Sequence, residues 1–404
     1  MQIYDFFYSS KNKLIFLKIR GFQIIAGFKG KERTGHQNQL ILPPTANQWM
    51  TFAEKLLLWY DHNKRDLPWR ETSDPYRIWL SEIILQQTRI DQGLPYYQKF
   101  IKAFPSVEDL ASSGEQDVLK LWQGLGYYSR ARNLLATARE IVSAYGGKFP
   151  QNHEQLKQLK GIGDYTAAAI ASISFGLPYP VADGNVVRFF SRHFKIEGPA
   201  GSGRVMNRVR TIAGEMILKH DPGKFNQAIM EFGALFCRPV DPPCSQCIFR
   251  KSCRAKREGL VDLLPLKTTK VQKRTRYFHY LIILPSDRDM TYLHKREGKD
   301  IWRNLFDFPL IETPSEVPPG ELKKHPEWKQ WFQGRRVNLL GISQPFTHHL
   351  THQVVVARFI RVIVSPFPEL SYKKIPVGDL ESFPLPRLVE KFLLSSPFKL
   401  PTEK

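Results

Sequence analysis

The sequence predicts a mostly helical N-terminal part followed by a smaller α+β domain. Three observations carry this. From residue 50 to about residue 258, apolar residues recur with helical spacing and Gly or Pro punctuates the turns. After a basic stretch the period shortens, and residues 277–284, 290–294 and 354–364 read as strands rich in β-branched and aromatic side chains. Between these two regimes lie all 4 cysteines of the 404-residue chain, from Cys237 to Cys253.

Taken in order, residues 1–49 mix apolar and basic residues without a clear period and end in the breaker Leu42-Pro43-Pro44. They are expected to form a poorly ordered extension ahead of a first helix over 52–60. Asp74-Pro75 opens a second helix, the Asp as cap and the Pro at the first helical position. Its Ile78, Leu80, Ile83, Ile84 and Leu85 cover most of its circumference, which predicts a buried helix. Gly146-Gly147, Gly161 and Gly163 mark further turns. The helical domain spans 50–258, a basic linker 259–276, the α+β domain 277–394 and a tail 395–404. Residues 250–276 hold ten Lys/Arg against two acids. A solvated spacer and a phosphate-tracking segment fit that stretch equally.

Composition narrows the function. Lys+Arg is 59 against 38 Asp+Glu, a net charge of +21. Such a surplus calls for a polyanionic partner, nucleic acid first and an anionic membrane surface second. With 42% hydrophobic and 24% charged residues, wholesale disorder is excluded. No stretch reaches the ~18 apolar residues of a membrane helix, and no signal-peptide pattern is present. A soluble, cytoplasmic protein without membrane contact is expected, nucleoid-associated if bacterial.

Cys237, Cys244, Cys247 and Cys253 follow the spacing C-x6-C-x2-C-x5-C. Four soft thiolates so close together can close around one centre. Structural zinc sites usually pair two short clips across a longer gap. One tight clip flanked by two single ligands suits an iron–sulfur cluster better. Upstream, Lys160-Gly161-Ile162-Gly163 runs into the helical Asp164-Tyr165-Thr166. A Gly-x-Gly turn entering a helix offers backbone N–H groups to a phosphate, although a plain helix–helix connection uses the same residues. Asp183, in Asp183-Gly184-Asn185, precedes a helical run over 186–194. At a helix N-terminus, backbone donors and the dipole favour a charged carboxylate. Capping and catalysis are compatible there.

Together the cysteine loop, the Gly161/Gly163 hairpin and Asp183 resemble the endonuclease III superfamily of helix-hairpin-helix DNA glycosylases. The resemblance implies a six-helix barrel with a [4Fe–4S] loop module over 237–253. It also implies that Arg238, Arg250, Lys251 and Arg254 on the loop meet DNA. Lys160 replaces the usual hairpin Pro, and Ala182 a larger apolar residue. Leu67-Pro68-Trp69-Arg70, the segment from Trp79 to Thr88, and Gly124-Leu125-Gly126-Tyr127-Tyr128-Ser129-Arg130 are closely similar to MutY-type adenine DNA glycosylases. That similarity implies a role for each of several residues. Glu82, in a helix of Ile, Leu and Trp, keeps its proton through burial and passes it to adenine N7. Asp183 stays ionised and faces the oxocarbenium ion. Tyr165 and Asn185 orient the sugar and the Asp carboxylate. Trp69, Arg70 and Glu231 line the adenine pocket, while Gln87 and Tyr127 wedge into the duplex. For the aromatics, simple core packing is the competing role. Bifunctional relatives carry a nucleophilic Lys where this chain has Tyr165, and a phenol forms no Schiff base.

In the C-terminal part, Tyr292–Arg296 and the run from Ile301 to Pro309 resemble the MutT-like (Nudix-related) domain of the same family, without the acidic metal box. The family reads 8-oxoguanine there through an aromatic-Ser/Thr-His motif. Phe346-Thr347-His348 and Leu350-Thr351-His352 both qualify. The strand beginning near residue 354 favours Thr351 and His352, with Leu350 departing from Phe. The expected partner is double-stranded DNA carrying A opposite 8-oxoguanine or guanine, bound by a monomer. An endonuclease III-like glycosylase/lyase on damaged or mismatched pyrimidines and a non-catalytic DNA-binding protein are the alternatives.

Overall fold

The computed structural model describes residues 51–267 and 272–395, preceded by three short strands. These are β1 (Phe7–Ser9), β2 (Leu14–Ile19) and β3 (Phe22–Gly27), an antiparallel sheet in chain order. The sequence assigned no element there, and the rest of the expected 1–49 extension lies outside the described residues. So do linker residues 268–271 and tail residues 396–404.

The helical region comprises α1 (Phe52–Asn63), α2 (Pro75–Leu85), α3 (Ile90–Ala103), α4 (Val107–Ser112), α5 (Glu115–Leu121) and α6 (Ser129–Tyr145). It continues with α7 (His153–Gln158), α8 (Asp164–Phe175), α9 (Gly184–Phe194), α10 (Gly203–Ile217), α11 (Pro222–Leu235) and the short α12 (Arg254–Arg257). Local rules explain the starts. Thr51 accepts from the Glu54 N–H while Glu54 reaches back to the Thr51 N–H, a capping box. Asp74 accepts from the Tyr76 N–H, with Pro75 at the first helical position as expected. Among the described residues, no helix is long and apolar enough to cross a membrane.

The chain forms two compact units that do not follow its order. The first joins α1 to the segment carrying α9–α12. In it α9 packs against α10, α11 and α12, and α11 against α1. The rings of Phe52, Phe189, Phe232 and Phe249 fill its core. The second unit takes residues 68–175 and the C-terminal domain. There α2 is the central helix, with Ile78, Leu80 and Ile84 buried as its pattern predicts, packed on α3, α6 and α8.

The C-terminal domain contributes β4 (Arg274–Leu284), β5 (Met290–Lys295), β6 (Phe306–Asp307), β7 (Leu310–Thr313), β8 (Arg336–Ile342), β9 (Phe346–His349), β10 (Gln353–Ser365) and β11 (Lys373–Pro376). Helices α13 (Pro319–Leu322), α14 (Pro326–Phe332) and α15 (Arg387–Leu393) accompany them. One sheet has the order β7-β4-β10-β8, with β9 paired to β10; the other is β11-β5-β6. Strands β4 and β10 run parallel, Gln353 opposite Arg274 through Ile363 opposite Leu284. β4 is buried along most of its length, whereas β10 largely alternates buried and half-buried positions. Trp328, Trp331 and Phe332 of α14 close the core over Leu281, Ile283, Ile360 and Val362. This domain adheres to the helices of its own unit. Asn304 bonds Glu115, and the Lys120 ammonium donates to the Glu381 and Phe383 carbonyls.

Candidate active site

Asp183 is the N-cap of α9, and its Oδ1 accepts from the Val186 N–H at 2.7 Å. Its Oδ2 accepts from the Asn185 amide at 2.8 Å. The carboxylate is thus gripped on both oxygens by neutral donors. Arg188, one turn on, donates to the Asn185 Oδ1 (2.9 Å), the Gly233 carbonyl (2.6 Å) and the Cys237 carbonyl (2.8 Å). A cation therefore fixes Asn185, which fixes Asp183, and the same guanidinium holds the backbone of the first cysteine. Helix α11 approaches closely enough that a Cβ at Gly233 would lie 2.6 Å from the Asn185 carbonyl oxygen, so only glycine fits.

The helix terminus supplies the expected donors to Asp183, and burial works against them. Burial raises its carboxyl above the ordinary value, and the Val186 N–H, the Asn185 amide and the Arg188 charge oppose that only in part. The side chain is partly exposed, yet desolvation outweighs the local donors.

Glu82 lies in the middle of α2 and is only 9% exposed among Ile78, Ile83 and other apolar neighbours. Helix α8, which packs on α2, brings Tyr165 in its first turn, and Gln86 donates to the adjacent Thr166 hydroxyl. Ahead of α8 the hairpin turns at Gly161, with φ +81° and no room for a Cβ beside Asn133. Gly161 and Gly163 are exposed, and the Thr137 hydroxyl pins the Lys160 carbonyl at 2.6 Å. The hairpin is held from behind and open in front.

Trp69 is buried edge-on against Tyr97, 5.0 Å between centroids, and the neighbouring Arg70 is half-buried. Glu231, 1% exposed, takes three bonds from Arg65: its backbone N–H (3.0 Å), Nε (2.9 Å) and guanidinium NH2 (2.6 Å). This bidentate pair ties α11 to the end of α1, a structural duty beside any role towards a base.

Gln87 and Tyr127 are exposed, and both adopt left-handed backbone, φ 55° and 49°. Leu350, Thr351 and His352 form the tip of the hairpin between β9 and β10. Thr351 and His352 are exposed, and the Thr351 and Tyr127 hydroxyls share a 2.8 Å hydrogen bond. Phe346, Thr347 and His348 instead lie within β9, paired with β10. There Phe346 packs on Phe359 and Phe392, and burial depresses the His348 pKa.

The four cysteines line one cavity with Arg192, His193, Phe249 and Lys256. None is in a disulfide. Burial first, and then the charges of the other three cysteines, raise Cys247 to about 12, so the sulfurs share one neighbourhood. The Phe249 N–H points at the Cys247 sulfur (3.4 Å), and the Arg192 guanidinium at that of Cys237 (3.6 Å). Arg192 also donates to the Arg238, Pro239 and Leu264 carbonyls. N–H groups and a buried cation aimed at sulfur suit an anionic thiolate-bound group. Among the described residues, no three ligands are drawn together to the spacing of a single metal ion.

Sequence reading gave no role to Arg65, Arg130, Arg188 or Arg192. All four act through carbonyls or carboxylates far away in the chain.

Comparison with known proteins gives the family of the chain. The family model described as "HhH-GPD superfamily base excision DNA repair protein" matches residues 80–231, and a NUDIX domain model matches 279–395. The adenine DNA glycosylase of Buchnera aphidicola subsp. Acyrthosiphon pisum is 34% identical over 352 residues, covering 85% of this chain and 96% of that protein. The Homo sapiens adenine DNA glycosylase is 44% identical over 214 residues, 51% of this chain and 39% of that one. A thermostable thymine-DNA glycosylase structure overlays with a TM-score of 0.48 at 30% identity, covering 51% of this chain and 95% of that one. The chain belongs to the adenine DNA glycosylase family, enzymes of base excision DNA repair, and carries a NUDIX-type domain in its C-terminal part.

Proposed function

We propose that the protein is a monofunctional glycosylase. It hydrolyses the N-glycosidic bond of adenine opposite 8-oxoguanine or guanine in double-stranded DNA, acting as a monomer in the cytoplasm or nucleoid. Two separate observations support this: Glu82 is buried within apolar α2 of one unit, and Asp183 in the other is gripped by the Val186 N–H and the Asn185 amide.

In this reading Glu82 gives its proton to adenine N7, and the glycosidic electron pair leaves with the base. The sugar C1′ becomes an oxocarbenium ion facing the Asp183 carboxylate. Donors already fixed around Asp183 need no reorganisation as that charge develops. Water then adds to C1′ and releases a proton. Tyr165 orients the sugar and offers no amine for a Schiff base, so the strand stays intact. Trp69, Arg70 and Glu231 border the extruded adenine; Gln87 and Tyr127 occupy the space it leaves; Thr351 and His352 meet the opposite base. The exposed hairpin at Gly161 and Gly163 grips a phosphate. Cys237, Cys244, Cys247 and Cys253, which line one cavity, would hold a [4Fe–4S] cluster. When bound, the cluster fixes the loop that presents Arg238, Arg250, Lys251 and Arg254 to the backbone.

The test is single-turnover adenine release from a duplex with A opposite 8-oxoguanine, run beside borohydride trapping. Free adenine, an intact strand and no trapped adduct are expected. Asp183→Asn and Glu82→Gln are each expected to abolish release and retain binding. A covalent adduct, or full activity in either variant, overturns the mechanism.

A further inference from the structure

Arg130, in the first turn of α6, is 8% exposed, and its guanidinium makes five hydrogen bonds. One nitrogen donates to the carbonyls of Ile83 (2.8 Å), Ile84 (2.9 Å) and Gln86 (2.6 Å), which end α2. The other donates to the Thr88 hydroxyl (3.4 Å) and the Gly126 carbonyl (3.3 Å). The bonded groups flank two exposed residues, Gln87 and Tyr127. Both hold a left-handed backbone that L side chains rarely adopt, so their surroundings must impose it. The guanidinium carbon also lies 5.0 Å from the Trp122 ring and 5.7 Å from the Tyr127 ring. The Trp122 indole N–H secures the Gly126 carbonyl from a second side at 3.0 Å. Burial pulls the Arg130 pKa down to about 10, still a cation at neutral pH. Carbonyls from the end of α2 and from the loop before α6, far apart in the chain, thus converge on one planar cation.

We infer that Arg130 is a positioning residue that welds the Gln87 and Tyr127 loops into one preformed wedge, so that the two side chains enter a duplex as a unit. The inference rests on the proposed glycosylase reading only for what the wedge enters; the weld itself is a property of the free protein. Lysine cannot replace it, because one ammonium cannot reach acceptors on both sides of a planar fork.

The experiment has two arms on the full chain. Hydrogen–deuterium exchange of the DNA-free protein compares wild type with Arg130→Lys and Arg130→Met. Segments 84–89 and 124–129 are expected to exchange at least about tenfold faster together in both variants, with α8 and residues 237–253 unchanged. A rise in one segment alone, no rise, or a rise spread over every helix overturns the weld. The second arm mixes each protein with a duplex carrying 2-aminopurine opposite 8-oxoguanine. The extrusion rate read by fluorescence is expected to drop about tenfold in Arg130→Lys, with duplex affinity changing less than threefold, because phosphate contacts dominate binding. An unchanged extrusion rate in a variant whose loops exchange faster overturns the positioning role. If the wild-type protein released no adenine, the glycosylase reading would fail while the exchange arm still decided the weld.

Discussion

Asp183 and the C-terminal pair Asp300 and Asp307 are acids beside arginines, yet their surroundings treat them oppositely. Asp307 is fully buried and accepts from the Arg296 guanidinium (2.8 Å), the Tyr280 hydroxyl (3.2 Å) and the His294 ring (3.3 Å). Asp300 is clasped by both nitrogens of Arg276 and by Arg296. Burial works against its charge, but those bonds, the Ile301 N–H and two guanidinium charges hold its carboxyl below the usual range. At Asp183 the arginine stands one residue back, bonded to Asn185 rather than to the acid, and burial wins. A carboxylate already neutralised by cations is structural. One held by neutral dipoles keeps its field for a cation that arrives with the substrate.

The sharpest way to break this comparison is to remove each charge in turn. Asp183→Asn should abolish single-turnover adenine release, a loss on the order of 10³-fold or more. It should leave the protein at least as stable as wild type at neutral pH. The sign comes from linkage. A carboxyl raised on folding binds its proton more tightly in the folded state, so stability falls as pH rises from the ordinary value of about 3.9 through the raised one. Asn keeps the cap without that penalty. Thermal melts of both proteins should converge towards acid pH. Asp307→Asn should do the reverse. It leaves the buried Arg296 with Asp300 as its one remaining carboxylate partner among these acids, at a cost of up to about 3–5 kcal/mol, read by denaturant unfolding, while the folded fraction keeps its rate. If Asp307→Asn instead slowed release and left stability alone, the two sites would not differ as argued. The wild-type rate should fall with acid as Asp183 takes up its proton, at a midpoint above about 3.9.

What could be read from sequence divides along the same line. Asp183 as a helix cap, Asp74-Pro75 and the cysteine loop were legible because each is a pattern within one short segment. So was the split into helical and strand-rich parts, since hydrophobic period is local. The upward push on the Asp183 carboxyl was not legible, because the dipole is local but desolvation is tertiary. Arg188 and Arg65 were invisible for a related reason: their partners lie 45 and 166 residues away. Nothing in an arginine's neighbours announces which carbonyl it will find. The interleaving of the units was equally hidden, because residues 68–175 and residues 176–258 share one helical period with no break in pattern between them.

Arg188 tests whether neutral donors need a fixed cation behind them. Arg188→Lys loses the fork that reaches Asn185, Gly233 and Cys237 together, as outer partners of metal ligands do when replaced. Release should slow about 10- to 100-fold. A rate within about twofold of wild type would show that Asn185 holds Asp183 unaided.

The smallest effect is expected at the 2.8 Å hydrogen bond between Tyr127 and Thr351, which is exposed and joins two neutral hydroxyls. Tyr127→Phe keeps the ring proposed to wedge and removes only that bond, a net loss of about 0.5–1.5 kcal/mol, or about 2- to 10-fold. Where it appears decides its meaning. If the tyrosine sets the aim of Thr351 at the base opposite adenine, the loss falls on the ratio of rates for 8-oxoguanine over guanine, with release opposite guanine unchanged. Thr351→Val should reproduce that change, and the double variant should add nothing, because both remove one bond. Equal slowing on the two mispairs would place the hydroxyl pair among contacts that merely hold the hairpin tip.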